Sequence, residues 1–203
     1  MASTFEASER AGASFEGRLA AALALDHPFQ GRGFLRQGAV TAASVAVLFS
    51  GDPDPGVLLT LRTEQVEAHK GQIAFPGGVR DPADDDFVAT ALRETEEEVG
   101  LSRSQIQVVG VMPPLWTSTG FEVTPVVGTL SRPMRELALL PNPAEIAEVF
   151  WAPLSLLQSG SAYQREVLQV GEFSHPIHVF QVGRHRVWGI TGAILKNLLD
   201  RLS

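Results

Sequence analysis

Nine consecutive residues, Arg93-Glu94-Thr95-Glu96-Glu97-Glu98-Val99-Gly100-Leu101, carry glutamates and an arginine at spacings that acquire meaning on a helix. With Glu94 at zero and roughly 100° per residue, Glu98 falls near +40°, Glu97 near −60° and Arg93 near −100°. These carboxylates and the guanidinium therefore share one side. Val88, Ala91, Leu92 and Val99 fall between about +60° and +160°, an adjoining apolar side, while Glu96 points to roughly 200°. Like charges one turn apart repel, and more so when partly buried. A hard divalent cation relieves that repulsion and takes oxygen ligands. Arg93, one turn before Glu97, can hold that side chain by a charge-assisted hydrogen bond. On these residues alone, a merely solvated charged helix face remains the alternative.

The elements that must position this helix read as a mixture of helices and strands. Phe15–Leu25 has the spacing of a short leading helix, and His27 to about Gly38 reads as a linker or a strap across the core. Residues 1–38 are taken together as an N-terminal helix and linker packing on a domain of residues 39–203. Ser44–Phe49 and Val57–Leu61 read as strands joined by Gly51-Asp52-Pro53-Asp54-Pro55-Gly56, a run of turn formers. Gln72–Phe75 is a short apolar run stopped by Pro76-Gly77-Gly78. The glutamate helix spans about Asp86 to Val99, closed by Gly100 where a left-handed cap is expected. Further strands are expected at Ile106–Met112, Glu122–Leu130, Glu145–Trp151, Glu166–Val170 and Ile177–Val182, with a helical turn or two at Leu154–Gln158. A final helix, Thr191–Leu202, places Ile194, Leu195, Leu198, Leu199 and Leu202 on one stripe. The order predicts an α/β (α+β) fold with a mixed sheet held between helices.

The 203 residues suffice for one well-packed domain. The net charge of −7, from 23 acidic and 16 basic side chains, disfavours a nucleic acid partner. The absence of cysteine removes disulfides, thiolate metal sites and thiol nucleophiles. No apolar run approaches membrane-spanning length, and no targeting leader is evident, so a cytoplasmic location is expected by default.

The stretch Gly78 to Leu101 resembles the Nudix box, G-x5-E-x7-R-E-U-x-E-E-x-G-U, where U is a bulky aliphatic. Gly78 opens it, and Arg93, Glu94, Glu97, Glu98, Gly100 and Leu101 keep the register of its second half. There are three departures. Residues 79–92 make the gap one residue longer than the pattern, Asp84 or Asp85 stands near the place of the first glutamate, and Thr95 replaces the first aliphatic. A threonine there can bond back to a main-chain carbonyl. Leu58-Leu59-Thr60-Leu61-Arg62-Thr63 and His69-Lys70-Gly71-Gln72-Ile73-Ala74-Phe75-Pro76-Gly77-Gly78 look like the extra motif of the coenzyme A pyrophosphatase branch. Thr90-Ala91-Leu92-Arg93-Glu94, Val123-Thr124-Pro125-Val126-Val127-Gly128 and Val187-Trp188-Gly189 are similar to that branch as well. Glu67 stands where the branch usually carries arginine.

The resemblance implies a Nudix fold with a loop-helix-loop catalytic motif, and a pyrophosphohydrolase using Mg²⁺, with Mn²⁺ as a substitute. Coenzyme A is the leading substrate, cleaved to 3′,5′-ADP and 4′-phosphopantetheine; ADP-ribose, a dinucleotide or another nucleoside diphosphate derivative is the alternative. A Nudix-fold binding module without catalysis is a third reading. By the same resemblance Glu94 and Glu98 are direct metal ligands, joined by Glu97 and the Gly78 carbonyl. Glu97 is either a second-metal ligand or a base. Arg93, Glu97 and Glu145 are the catalytic candidates, with Glu148 behind Glu145; a surface acid at a strand start is the alternative for Glu145. Arg62, His69, Lys70, Phe75 and Gly77 are candidates for substrate contacts, although His69 and Lys70 fit an exposed loop equally well. Gly77 and Gly78 allow close backbone approach at the metal or form a plain tight turn. Trp116 and Phe121 line a pocket or belong to the core. The partner expected is a small molecule, and a homodimer is left open.

Overall fold

The computed structural model of the chain describes residues 14–25, 40–64, 71–171 and 173–203. The linker expected at His27–Gly38, and Glu67, His69 and Lys70, lie outside the described residues.

Helix α1 (Phe15–Ala24) starts at Ser14, whose hydroxyl accepts the Gly17 N–H at 3.1 Å, a side-chain cap for an otherwise unpaired donor. Eight strands follow in one sheet: β1 (Thr41–Phe49), β2 (Gly56–Arg62), β3 (Ile73–Ala74), β4 (Gly77–Val79), β5 (Ile106–Val111), β6 (Leu115–Trp116), β7 (Phe121–Leu130) and β8 (Ile146–Pro153). The path runs β3-β2-β1-β7-β5, with β4 paired to β1, β6 to β7 and β8 to β2. Strands β1 and β7 run parallel and the other pairs antiparallel, so the sheet is mixed. A second antiparallel sheet contains β9 (Tyr163–Val170), β10 (Phe173–Val182) and β11 (His185–Val187).

Side chains alternate across a strand, and β1 shows both faces buried. Val47 and Phe49 join Leu19 of α1 and Ile194, Leu195 and Leu198 of α4 (Gly189–Leu202) in one core. Ala46 and Leu48 face the other way, onto Ala91, Leu92 and Val99 of α2 (Phe87–Val99). The large sheet is thus held between helices, as the element order implies. Burying a leucine is worth about 1.5–3 kcal/mol, and Leu19, Leu195 and Leu198 are each at most 1% exposed. A further helical turn, α3 (Leu154–Gln158), packs after β8.

Strands β4, β6 and β11 were not expected from the sequence. Each has at most three residues, too short for a hydrophobic period to register. Pro76-Gly77-Gly78, read as the stop of a strand, leads directly into β4, where Val45 pairs with Gly77 and Ser44 with Gly78. A Cβ on Gly77 would collide with the Ser44 carbonyl oxygen and lie 2.7 Å from Val45 Cα. Glycine is required here by the closeness of two backbones.

Candidate active site

Helix α2 begins at Asp86, whose carboxylate accepts the Ala89 N–H at 2.7 Å, and ends at Gly100 in the left-handed conformation (φ 72°). Ala91, Leu92 and Val99 fix its rotation against the sheet. Thr95 is fully buried on that side, and its hydroxyl donates to the Ala91 carbonyl at 2.7 Å. The polar group in an apolar contact is therefore satisfied within the helix.

With the rotation fixed, Glu94 and Glu98 meet the same dipeptide. Glu98 Oε2 accepts the Gly77 N–H at 3.2 Å. A Cβ on Gly78 would lie 2.5 Å from the carboxylate carbon of Glu94, so the missing side chain is what admits that group. Glu98 Oε1 accepts from Arg62 Nη1 at 2.9 Å. Arg62 is the last residue of β2, where the pairing with β8 shifts register between Leu61 and Arg62. The extra residue there is Ala147 of β8, and opposite this irregularity the terminal arginine of β2 reaches the helix.

Arg93 reaches the other way along the helix. Its guanidinium donates to both carboxylate oxygens of Asp84 at 3.0 Å, to Glu94 at 2.9 Å, to Glu97 at 3.1 Å and to the Val79 carbonyl at 3.3 Å. Asp84 is in turn held by the Thr90 hydroxyl at 2.9 Å and the Asp81 N–H at 3.0 Å. The guanidinium holds the Asp84 carboxyl well below the usual carboxylate range. Of the two aspartates near the place of the box's first glutamate, Asp84 makes the contact.

The chain between α2 and β8 returns to the same place. Leu140 N donates to the Val99 carbonyl and Asn142 N to the Glu98 carbonyl, both at 2.9 Å. Thr63 N donates to the Glu145 carbonyl at 2.8 Å, which ties Glu145 beside Arg62. The Glu145 carboxylate stands 3.8 Å from Arg62 Nη2. Glu148 faces elsewhere, paired with Arg184 at 2.6 Å and His185 at 3.3 Å.

Burial pushes the Glu98 carboxyl up to about 7, against the lowering by Arg62 and the Gly77 N–H; the charges of Glu94 and Glu145 add to the rise. Glu94 is raised as well, by burial first and then against Arg93, with Glu97 and Glu145 contributing. Burial thus disfavours the charged form of both carboxylates.

A family model described as the NUDIX domain matches residues 40–170. The chain belongs to the Nudix hydrolase family. It is 42% identical over 151 residues to a Photorhabdus laumondii protein named Uncharacterized Nudix hydrolase NudL, covering 74% of this chain and 79% of that protein. It is 38% identical to a protein of the same name from Pectobacterium atrosepticum, covering 79% of this chain and 82% of the relative. Among solved structures, a NUDIX hydrolase from Alicyclobacillus acidocaldarius superposes over 81% of this chain and 93% of its own, with a TM-score of 0.53 at 19% identity. That last likeness concerns the fold.

Set in the Nudix fold, Arg62, Gly77, Gly78, Arg93, Glu94, Glu97, Glu98 and Glu145 come together on one side of α2. Phe75 does not join them. Its ring is 2% exposed in the core shared with Val47 and Leu59, because the residue before Pro76-Gly77 turns inward as β3 ends. Trp116 is half-buried, and Phe121 is half-buried against the same core. Asp84 was named from the sequence only by its place in the box; its pairing with Arg93 depends on how the loop before α2 folds.

Proposed function

We propose that the protein is a Mg²⁺-dependent pyrophosphohydrolase that cleaves coenzyme A or its derivatives to 3′,5′-ADP and 4′-phosphopantetheine. The observation that carries this reading is the convergence of the Glu94 and Glu98 carboxylates on the Gly77–Gly78 dipeptide, flanked by Arg62 and Arg93.

The donor set fits a hard divalent cation. Every candidate ligand is oxygen, and Glu98 is a carboxylate 2% exposed whose burial calls for more positive charge than one arginine brings. Among the described residues no three acidic or histidine side chains form a ready-made cage. Such an arrangement suits Mg²⁺ better than Ca²⁺, because Mg²⁺ keeps waters and shares its coordination between one or two carboxylates and substrate phosphates. When bound, the cation supplies charge neutralisation and Lewis acidity to the diphosphate; Mn²⁺ serves the same chemistry.

A diphosphate resists attack because its own charge repels nucleophiles, so the chain's task is to gather positive charge and aim a water. Glu94 and Glu98 hold the cation with the Gly78 carbonyl. Arg93 fixes Glu94 and Glu97 from the side and is itself braced by Asp84. Arg62, whose guanidinium can grip two phosphate oxygens, is the substrate-facing cation. Glu97 and Glu145, with side chains 56% and 41% exposed, are the more accessible carboxylates, placed to take a proton from the attacking water or to hold a second cation. His69 and Lys70 are proposed as contacts for phosphate or the nucleotide, and Gly77 as a backbone contact for substrate beside the metal.

Coenzyme A is favoured by the sequences Leu58–Thr63 and His69–Gly78, which resemble the coenzyme A pyrophosphatase branch. Glu67 places a negative charge where that branch has a positive one, and it favours ADP-ribose or a dinucleotide as the second reading. Product release should be measured with coenzyme A, ADP-ribose and dinucleotides in Mg²⁺, for wild type, Glu67→Arg and Glu98→Gln. Release of phosphopantetheine as the preferred reaction, abolished in Glu98→Gln, supports the proposal. Preference for another diphosphate overturns the substrate, and no metal-dependent turnover with any of them overturns the hydrolase reading in favour of a binding module.

A further inference from the structure

Arg62 and Arg93 stand on the same carboxylate cluster but are held differently. Arg93 has a bidentate grip on Asp84 and a bond to a main-chain carbonyl, so it stays in place whatever happens to Glu94 and Glu97. Among the described residues, the Arg62 guanidinium pairs with Glu98 at 2.9 Å and Glu145 at 3.8 Å, acids of the cluster itself. Its side chain is 20% exposed, so a path toward solvent and substrate is open. Glu98, at 2% exposed, requires a cation beside it. Arg62 occupies that position.

We infer that Arg62 is an exchangeable counter-ion to Glu98: its guanidinium and the divalent cation compete for that buried carboxylate, and the displaced guanidinium is free for the substrate diphosphate. The inference rests on the metal-dependent reading above. Glu98 Oε1 accepts from Arg62 and Oε2 from the Gly77 N–H, so a cation that takes Oε1 meets the Arg62 guanidinium directly, and their repulsion favours the exchange. Arg62 lies at the end of β2, where the register with β8 shifts, and its flexible stem allows the swing. Cation binding is thereby weakened by the contact it must break, and the released guanidinium couples it to substrate binding.

The test uses the metal alone. Mn²⁺ uptake is titrated calorimetrically for wild type, Arg62→Gln and Arg62→Lys, with melting temperatures recorded with and without Mn²⁺. Arg62→Gln should bind Mn²⁺ about tenfold more tightly than wild type, on the scale of an ordinary coupling between two ligands. It should melt lower than wild type without metal and lose that deficit at saturation, while Arg62→Lys stays near wild type in both respects. Should Arg62→Gln not fold, the wild-type guanidinium signal of Arg62, assigned in an NMR spectrum by its loss in Arg62→Lys, must shift or broaden on adding Mg²⁺. Equal or weaker Mn²⁺ binding by folded Arg62→Gln, or an unmoved Arg62 signal at saturating Mg²⁺, overturns the inference while leaving the metal site intact. No uptake by wild type or either variant overturns the metal reading and this inference together.

Discussion

Two arginines serve one acidic cluster, and their surroundings divide the labour. Arg93 lies along α2, fixed at one end by Asp84 and at the other by Glu94 and Glu97. Arg62 comes from the end of β2 and, among the described residues, meets Glu98 and Glu145 without a comparable anchor. A guanidinium with a partner outside the cluster is scaffold; one held by the acids of the cluster is exchangeable. The same side chain therefore serves a fixed role on the helix and a mobile one on the strand.

The sharpest break of this comparison comes from removing the acid that Arg62 covers. Glu98→Gln should lower kcat by about 10³-fold, since metal-based charge stabilisation is worth several kcal/mol at 1.36 kcal/mol per decade. Its melting temperature should stay the same or rise, because a buried charge disappears; a collapse in stability would instead make Glu98 structural. Next in size, Arg93→Ala leaves Asp84 without its partner and should cost roughly 2–3 kcal/mol in chemical denaturation. If Arg62→Ala proves as destabilising in metal-saturated protein, the contrast between the arginines fails.

A third prediction concerns acid. The Asp84 carboxyl is depressed in the folded protein, so its contribution is fully present above the unfolded value of about 4 and is lost as the pH falls through the lower folded value. Asp84→Asn should accordingly melt below wild type at pH 7, with the gap narrowing steadily below about pH 4. A gap independent of pH would mean that shape, and not charge, matters at that position. The smallest effect belongs to Thr95→Val, on the packing side of α2, which loses one local hydrogen bond and should cost no more than about 1 kcal/mol. Turnover should be unchanged, separating the helix face that packs from the one that carries the arginines.

Much of this arrangement was legible beforehand. The 3.6-residue period set Arg93, Glu94, Glu97 and Glu98 apart from Ala91, Leu92 and Val99, and Gly100 ends the helix as its type suggests. Thr95 bonds back to Ala91 as expected of a hydroxyl facing a packed sheet. Other features depend on parts of the chain far apart in sequence. Nothing local to Arg62 shows that it faces a register shift, because the extra residue lies on β8. The choice of Asp84 over Asp85 depends on a loop held by Thr90 and Asp81. Phe75 closes the short apolar run Gln72–Phe75, so its place in the core was legible there, and only the resemblance drew it toward the substrate. The glycine pair conceals β4, since glycine has low strand propensity and only its fit against β1 explains it.

The parallel seam between β1 and β7 bears on how the protein is born. Ser44 and Thr124, joined through the serine hydroxyl at 2.9 Å, are 80 residues apart, and all of α2 lies between them. On the ribosome, β1 emerges long before its partner exists, with apolar side chains on both faces and only hairpin-range neighbours to shield them. Long-range pairing of this kind slows folding, so the nascent chain passes through a window in which aggregation competes with assembly. Closure of that seam is the step at which the molecule commits to its final form.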